Sequence, residues 1–333
     1  MIIDRAKGSF LYIKGEAFRD LSFGSGVHLF GHSPDFITNT VLKEIQRQTT
    51  TQKNTQNILE FEKLFKELSN YENTLICSTG AEGIIKALRI ARVNSKSKKV
   101  AVFKKAWHGM VDDTLEEYRD ALSQHDTVFI ERDLNSIHNL DENIGIVIVE
   151  PIPQRYPCLD SKFLSSLSKL CKQKGIILIS DEIISGFRLK YEIDSDIKVF
   201  GKAISGGLPI SVIAYKDWLS KNFPTGGTFS GNNLSVSCAL ATLKNIKNNN
   251  INYLYDLGDT LRYILNKNKV RCVGVGGVTR LLGIANNNLS NLLYSDKILF
   301  PKNKIIYNAY NEKVKDVIEY GEKISEAYHK IQP

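Results

Sequence analysis

The sequence predicts an α/β fold, with a mostly parallel sheet in a large domain and a small α+β domain at the C-terminal end. Two observations support this class. Short apolar segments alternate along the chain with amphipathic segments of helical periodicity, as in parallel strands connected by helices. In addition, the apolar segments 144–149 and 175–180 are continuous, which is typical of strands that helices cover on both faces.

The chain begins with a predicted hairpin and two predicted helices. The segment 9–21 has the form of a short hairpin that turns at Gly15. Ser33 and Pro34 then open an amphipathic helix that extends to about Arg47, and a second helix is predicted over 58–68.

Strands and helices alternate from there on. The predicted strands are 74–77, 100–103, 127–130, 144–149, 175–180 and 212–215. A helix over 81–93 separates the first two strands, and a last helix is predicted over Val314–Ile331.

These elements predict three parts of the chain. Residues 1–32 form an N-terminal hairpin segment that packs with the small domain, and residues 33–246 form the large domain. The asparagines at 248–250 mark a linker, so residues 247–333 form the small C-terminal domain.

Composition and charge exclude several classes of protein. The chain has 333 residues, of which 42% are hydrophobic and 24% charged, as in an ordinary globular protein. The net charge of +8 does not come with a basic helix or a zinc-finger spacing, so we expect no nucleic-acid partner. The five cysteines are scattered without a CxxC pair, which predicts neither disulfides nor a metal site. With no long apolar run and no signal peptide, we expect a cytoplasmic protein with no membrane partner.

Two polar motifs follow predicted strands, at the sheet edge where open α/β folds bind ligands. The segment 78–82, Ser-Thr-Gly-Ala-Glu, begins a helix, and its small residues would let backbone N–H groups approach a phosphate. Asp181 ends a buried strand, where a carboxylate needs a cationic partner. Taken singly, both motifs are equally compatible with ordinary helix caps.

Two further motifs gain meaning only from their surroundings. Lys202 lies in a glycine-flanked turn, where a lysine near a buried site could lose its proton and attack a carbonyl. The segment 226–232 is a turn rich in hydroxyl and amide groups. Taken by themselves, the Lys202 motif is interpreted as a surface lysine and the segment 226–232 as an ordinary loop.

The order of six motifs is more specific than any one of them. Along the chain they read STGAE, AWHG, VIVEP, ISDEIISGFR, FGKAISGGLP and GGTFSGNN. This series resembles the class III aminotransferases, a branch of the fold-type-I enzymes that use pyridoxal 5′-phosphate (PLP), and among them the glutamate-1-semialdehyde aminomutases. The resemblance covers about 4–328 and weakens after about 246. It implies a fold-type-I transferase, PLP as cofactor, and a small-molecule amino donor and carbonyl acceptor.

The resemblance also implies a role for each matching residue. Lys202 would form the Schiff base with PLP and move the proton between substrate and cofactor, while Asp181 would pair with the pyridine nitrogen. The other cofactor-binding positions in the same subunit would be Thr79, Gly80, Ala81, His108 and Glu150, with Trp107 and Ile183 on the two faces of the cofactor ring. Gly227 and Thr228 would reach the phosphate of the neighbouring subunit, which implies a homodimer with shared active sites.

Departures from the family pattern bear on the substrate. Met110 begins a segment unlike the small-residue gating loop of the aminomutases, and Ser25 and Arg155 stand where a Trp and an Asn are usual. Arg155 and Arg188 are candidates for binding a substrate carboxylate, although Arg188 equally suits a structural ion pair.

We therefore predict an aminotransferase that moves an amino group from a donor such as glutamate to an aldehyde or ketone, on a sugar or another polar metabolite, by a ping-pong mechanism. The alternatives are glutamate-1-semialdehyde 2,1-aminomutase and a non-catalytic PLP-fold scaffold.

Overall fold

The structure is a computed structural model that describes residues 1–48, 50, 53–118, 127–219, 222–223, 225–284 and 288–331. The N-terminal segment forms three antiparallel strands, β1 (Arg5–Lys7), β2 (Phe10–Ile13) and β3 (Glu16–Asp20). Gly15 takes a φ of 80° between β2 and β3, a left-handed conformation that suits glycine, so the predicted hairpin is confirmed.

Between this segment and the central sheet, the described residues form an irregular helical turn at Phe23–Gly26 and two longer helices. The longer helices are α1 (Asp35–Ile45) and α2 (Gln56–Ser69), close to the predicted bounds. Thr55 caps α2, because its side chain accepts a hydrogen bond from the amide of Ile58.

A seven-stranded sheet forms the centre of the molecule. Its strands are β4 (Asn73–Cys77), β5 (Lys99–Phe103), β6 (Thr127–Ile130), β7 (Ile144–Val149), β8 (Ile177–Glu182), β9 (Ile197–Phe200) and β10 (Ser211–Tyr215). Their order is β4-β10-β9-β8-β7-β5-β6, and β10 runs antiparallel to both of its neighbours while the other pairs are parallel. The predicted mostly parallel sheet is confirmed.

Two details of the sheet differ from the prediction. The strand predicted over 175–180 begins at Ile177, because Gly175 ends the preceding helix with a φ of 65°. Sequence reasoning missed β9, a four-residue strand that contains Lys198 and therefore lacks a continuous apolar pattern.

Helices cover both faces of the sheet. They are α3 (Gly80–Asn94), the short α4 (Leu134–His138), α5 (Ser161–Lys174) and α6 (Asn233–Asn248). Alternate residues of β7 belong to two cores: Ile146 and Ile148 pack in the core that contains residues of α3, and Val147 and Val149 in the core that contains residues of α5. This arrangement explains why β7 is apolar throughout. Short 3₁₀ turns lie at Asp112–Thr114, Glu116–Tyr118, Lys202–Ile204 and Asp217–Leu219.

The C-terminal part combines helices with small sheets. Its elements are α7 (Asn252–Lys267), β11 (Cys272–Val275), β12 (Val278–Leu281), α8 (Asn288–Ser295), β13 (Ile298–Leu299), β14 (Ile305–Tyr307) and α9 (Val314–Ile331). Strands β11, β12 and β14 form an antiparallel sheet, and β13 pairs in parallel with β3 of the N-terminal segment. Leu21 packs in the same core as α7 and α9. The domain boundaries at 32/33 and 246/247 stay predictions.

Two features of other protein classes are missing from the described residues. None of the helices within these ranges has both the length and the apolar composition needed to cross a bilayer. Within the same residues, no group of three or more His, Cys, Asp or Glu side chains is arranged to hold a metal ion.

Candidate active site

A cavity of about 220 Å³ lies at the carboxyl ends of the parallel strands. Its walls include eight residues that the sequence assigned to cofactor binding or catalysis: Gly80, Ala81, Trp107, His108, Glu150, Asp181, Ile183 and Lys202. Gly109, Ile152, Ile184 and Ser185 complete the lining. Segments distant in sequence therefore meet at one site.

Asp181 is held in place by two hydrogen bonds. His108 Nδ1 donates to Asp181 Oδ2 at 2.7 Å, and the amide of Ile183 donates to Asp181 Oδ1 at 3.1 Å. Both Asp181 and His108 are buried, and His108 Nε2 has no partner among the described residues. A buried carboxylate with such partners has a fixed orientation and can present negative charge to a cationic group in the cavity.

Glu150 is the second buried carboxyl of the site. It follows β7, is 5% exposed, and accepts a hydrogen bond from the amide of Trp107 at 3.1 Å. Burial raises the pKa of Glu150 to about 7; the nearby Asp181 adds to this rise and His108 opposes it. Glu150 therefore binds a proton far more readily than an exposed glutamate.

Lys202 begins a 3₁₀ turn just after β9. Its φ of 46° lies in the left-handed region, which non-glycine residues adopt rarely and often at functional positions. Burial lowers the pKa of the Lys202 amine, whereas Asp181 and Glu150 raise it. The lowered pKa makes the neutral, nucleophilic amine more accessible than in an exposed lysine.

The N-terminus of α3 forms another wall of the cavity. Thr79 caps the helix, with its hydroxyl oxygen accepting from the amide of Glu82 at 3.2 Å, and Ser211 Oγ donates to the Thr79 carbonyl at 2.9 Å. A Cβ added to Gly80 would lie 2.8 Å from Ile183 Cδ1. Glycine thus lets the helix approach Ile183 closely. The N-terminus of a helix favours an anion, because its first backbone amides have no partner within the helix.

Trp107 and Ile183 are the residues predicted to contact the two faces of the cofactor ring. Both line the cavity, and Trp107 is 45% exposed. The exposed indole is available to stack on a planar group, and its stacking role stays a prediction.

Gly227 and Thr228 do not line this cavity. They lie in a separate depression, within a loop that is tied to the first turns of α3. Ser230 Oγ donates to Glu82 Oε1 at 2.8 Å, and Lys86 Nζ donates to the Gly226 carbonyl at 2.5 Å. Their predicted contact with the neighbouring subunit stays a prediction.

The three candidate substrate residues, Ser25, Arg155 and Arg188, all lie outside the lining of this cavity. Ser25 is exposed, in a turn where its φ is 59°. Arg155 lines a second cavity that shares Glu150 with the first. Both remain candidates for contacts with a substrate.

Arg188 is the third candidate substrate residue. It is 0% exposed, and its two terminal nitrogens donate to the backbone carbonyls of Asn308, at 2.9 Å, and Gly26, at 2.7 Å. Its guanidinium also lies 5.4 Å from the centre of the Tyr307 ring. No carboxylate of the described residues forms an ion pair with it, so backbone carbonyls stand where the ion-pair interpretation expects an acid. Its substrate-binding role stays a prediction. Arg188 joins distant segments that surround the site.

Sequence reasoning missed Arg132, which follows β6 at the same edge of the sheet. Its Nη1 donates to the Glu150 carbonyl at 3.0 Å and its Nη2 to the Pro151 carbonyl at 3.1 Å. The guanidinium lies over the ring of Phe163, at 4.6 Å. Arg132 thus positions the backbone at Glu150; its place after a strand was the only available signal.

The chain resembles known proteins along most of its length. A family model described as aminotransferase class III matches residues 1–128 and 115–281. The glutamate-1-semialdehyde 2,1-aminomutase of Saccharolobus islandicus is 29% identical over 282 residues, which is 74% of this chain and 66% of that protein. The chain thus spans just under two thirds of the length of this curated relative.

Solved structures share the fold. The ornithine aminotransferase of Toxoplasma gondii has a TM-score of 0.91 at 22% identity, covering 99% of this chain and 90% of that one. A glutamate-1-semialdehyde aminomutase from Pseudomonas aeruginosa, in complex with PMP, has a TM-score of 0.89 at 18% identity, covering 99% and 88%. The predicted α/β fold of fold-type-I transferases is confirmed. By its sequence, this chain is a member of the class III aminotransferase family.

Proposed function

We propose that this chain is a PLP-dependent aminotransferase that moves an amino group from a donor such as glutamate to an aldehyde or ketone. One observation carries the proposal: the Lys202 amine, the Asp181 carboxylate and the N-terminus of α3 border the same cavity. These are a nucleophile, an anion for a pyridinium and a cradle for a phosphate.

The residues present fit this cofactor. Asp181 has a carboxylate oriented by His108 and the Ile183 amide, as a protonated pyridine nitrogen requires. Gly80 and Ala81, in the first turn of α3, line the cavity, where backbone amides of a helix N-terminus can bind a phosphate. When bound, PLP supplies an electron sink that stabilises a carbanion beside the amino group.

The chain's own groups hold and move the protons. Burial lowers the pKa of Lys202, so its Nζ can give up a proton and take one back at the substrate carbon. Burial raises the pKa of Glu150 to about 7, so this side chain can stay neutral beside Asp181 and leave one negative charge on that side of the cavity.

A specific observation also favours glutamate-1-semialdehyde 2,1-aminomutase, because the chain is 29% identical to proteins of that name. The segment that begins at Met110 argues against this activity, because Asp112 and Asp113 replace the small residues expected of a gating loop. Asp113 also forms an ion pair with Arg92 at 2.8 Å. Product formation from the semialdehyde without an added amino donor would distinguish the mutase. We also propose a cytoplasmic homodimer, in which Gly227 and Thr228 complete the partner's phosphate site.

The visible absorption spectrum of the purified protein with PLP tests the proposal. We expect a lysine-dependent band in wild type that excess L-glutamate removes, and no such band in Lys202→Ala. Lys198→Ala is the matched control, because Lys198 precedes the site on β9 and its Nζ lies 5.5 Å from the Tyr71 ring centre. Its band should equal that of wild type.

The possible results separate the candidates. A band that glutamate does not change, with turnover of the semialdehyde alone, favours the aminomutase. The absence of any Lys202-dependent band would refute catalysis and leave the scaffold interpretation.

A further inference from the structure

A second cavity adjoins the candidate active site at Glu150. Its volume is about 360 Å³, and its lining includes Lys104, Lys105, Arg132, Arg155 and the acidic residues Glu131, Asp133 and Asp160. Because Glu150 lines both cavities, the second cavity borders the place where Lys202 lies. The charged groups of the second cavity are therefore the ones to compare for contacts with a substrate.

Most of these charges have structural partners. Lys104 Nζ lies 2.7 Å from Glu131 Oε1. Asp133 and Asp160 cap the N-termini of α4 and α5, accepting from the amides of Ser136 at 2.7 Å and Phe163 at 2.9 Å. The guanidinium of Arg132 is bound to the carbonyls described above.

Arg155 forms a longer and more exposed ion pair than Lys104 does. Its side chain is 53% exposed, and its partner Glu117, at 3.3 Å, is itself 73% exposed. Exposed ion pairs of this kind contribute little binding energy, so a substrate anion can replace Glu117. The Arg155 guanidinium therefore lies at the cavity wall and is held there only by a weak ion pair.

A second guanidinium approaches Arg155 from the C-terminal part of the chain. Arg280 lies on β12, and its Nη1 donates to the carbonyl of Gln154, the residue before Arg155, at 3.4 Å. Burial lowers the pKa of Arg280, and the positive charge of Arg155 lowers it further. No carboxylate in the described part of the chain forms an ion pair with Arg280. Two neighbouring positive charges repel each other, and an anion bound between them offsets this electrostatic repulsion.

We propose that Arg155 and Arg280 together bind an anionic group, a carboxylate or a phosphate, at the end of the substrate remote from the reacting carbon. This inference rests on the proposed function, because it takes the cavity at Lys202 as the place of reaction. It identifies the substrate as an anion and makes Arg280, on β12, a specificity-determining residue.

Calorimetric binding of unreactive probes to the PLP-loaded protein tests this proposal. Glutarate carries two carboxylates, glutaramide is its uncharged counterpart, and n-propyl phosphate represents the phosphate class. We expect wild type to bind glutarate or propyl phosphate at least 10-fold more tightly than glutaramide. Arg155→Ala and Arg280→Gln should each weaken the preferred anion at least 10-fold and leave glutaramide unchanged.

Two controls keep the result interpretable. Arg271→Ala removes an exposed arginine beside β11, with the same change in net charge, and should bind like wild type. Arg155→Lys and Arg280→Lys keep the charge without the planar fork and should fall between wild type and the first variants. Thermal unfolding of every variant establishes that it is folded.

The outcomes separate this inference from the proposed function. Preference for the phosphate probe or for the dicarboxylate identifies the anion, and either supports the proposal if both arginines are required. Anion binding that is equal in wild type and in both variants, or absent from wild type, overturns it. The Lys202-dependent absorption band is measured on the same samples, so loss of that band contradicts the proposed function whatever the anions do.

Discussion

Replacing Glu150 by glutamine should make the protein more stable at neutral and alkaline pH. Burial raises the pKa of Glu150 from 4.5 to about 7 in the folded chain. Between these two pH values the unfolded chain releases the proton while the folded chain keeps it, so wild type loses stability as the pH rises. A glutamine side chain has no such proton to lose, and its amide oxygen could still accept from the Trp107 amide.

The magnitude follows from the pKa. One pKa unit is worth about 1.36 kcal/mol, so the rise to about 7 costs the wild-type protein roughly 3 kcal/mol above pH 7 and almost nothing below pH 4.5. We therefore expect Glu150→Gln to raise the free energy of unfolding by up to roughly 3 kcal/mol at pH 8 and by much less at pH 5.

Urea denaturation of the cofactor-free protein at both pH values measures this difference. Glu312→Gln is a matched control, because burial also raises the pKa of Glu312 to about 7, on the C-terminal side of the molecule. It should show the same pH dependence without altering the Lys202-dependent band. If Glu150→Gln changes the free energy of unfolding by the same amount at pH 5 and pH 8, folded wild type does not retain a proton on Glu150 as inferred.

Three further substitutions test the site and its frame. Asp181→Asn should weaken PLP binding by roughly 10- to 100-fold, since a charged hydrogen bond is worth about 1.5–3 kcal/mol, and equilibrium dialysis would detect it; unchanged affinity would remove Asp181 from the cofactor site. Gly80→Val should displace Ile183, whose Cδ1 already lies 2.8 Å from a Cβ at that position, and lower PLP affinity, while adding Ile183→Ala should restore part of it in the same assay. Arg188→Met should destabilise the fold by roughly 2–5 kcal/mol, because it leaves two buried carbonyls without donors; thermal unfolding unchanged from wild type would show that these contacts are dispensable.

Much of the site could be predicted because its signals are local. A helix cap and its small neighbours at Thr79 and Gly80 are readable from five consecutive residues. The continuous apolar segment before Asp181 places that carboxylate at the end of a buried strand. The edge of a parallel sheet then brings such strand ends together, whatever the connections between them.

Other features needed contacts that no local pattern reveals. Strand β9 is short and includes Lys198, so it becomes a strand only by pairing with β8 and β10. Arg132 carries no motif, and its function in the site depends on the carbonyls at Glu150 and Pro151. The pKa of Glu150 depends on burial by several segments at once.

The sequence by itself determined the α/β class, because buried strands have a continuous apolar pattern. The order of its motifs identified the family, and that resemblance implied that Asp181 and Lys202 belong to one site. Only the tertiary structure decided which arginines bind backbone carbonyls around the site, as Arg188 does, and which line a cavity, as Arg155 does. The role of a guanidinium depends on the groups to which it donates hydrogen bonds. Arg188 donates to the carbonyl of Gly26, 162 residues away in sequence, and to that of Asn308, 120 residues away. Such partners become neighbours only when the chain has folded.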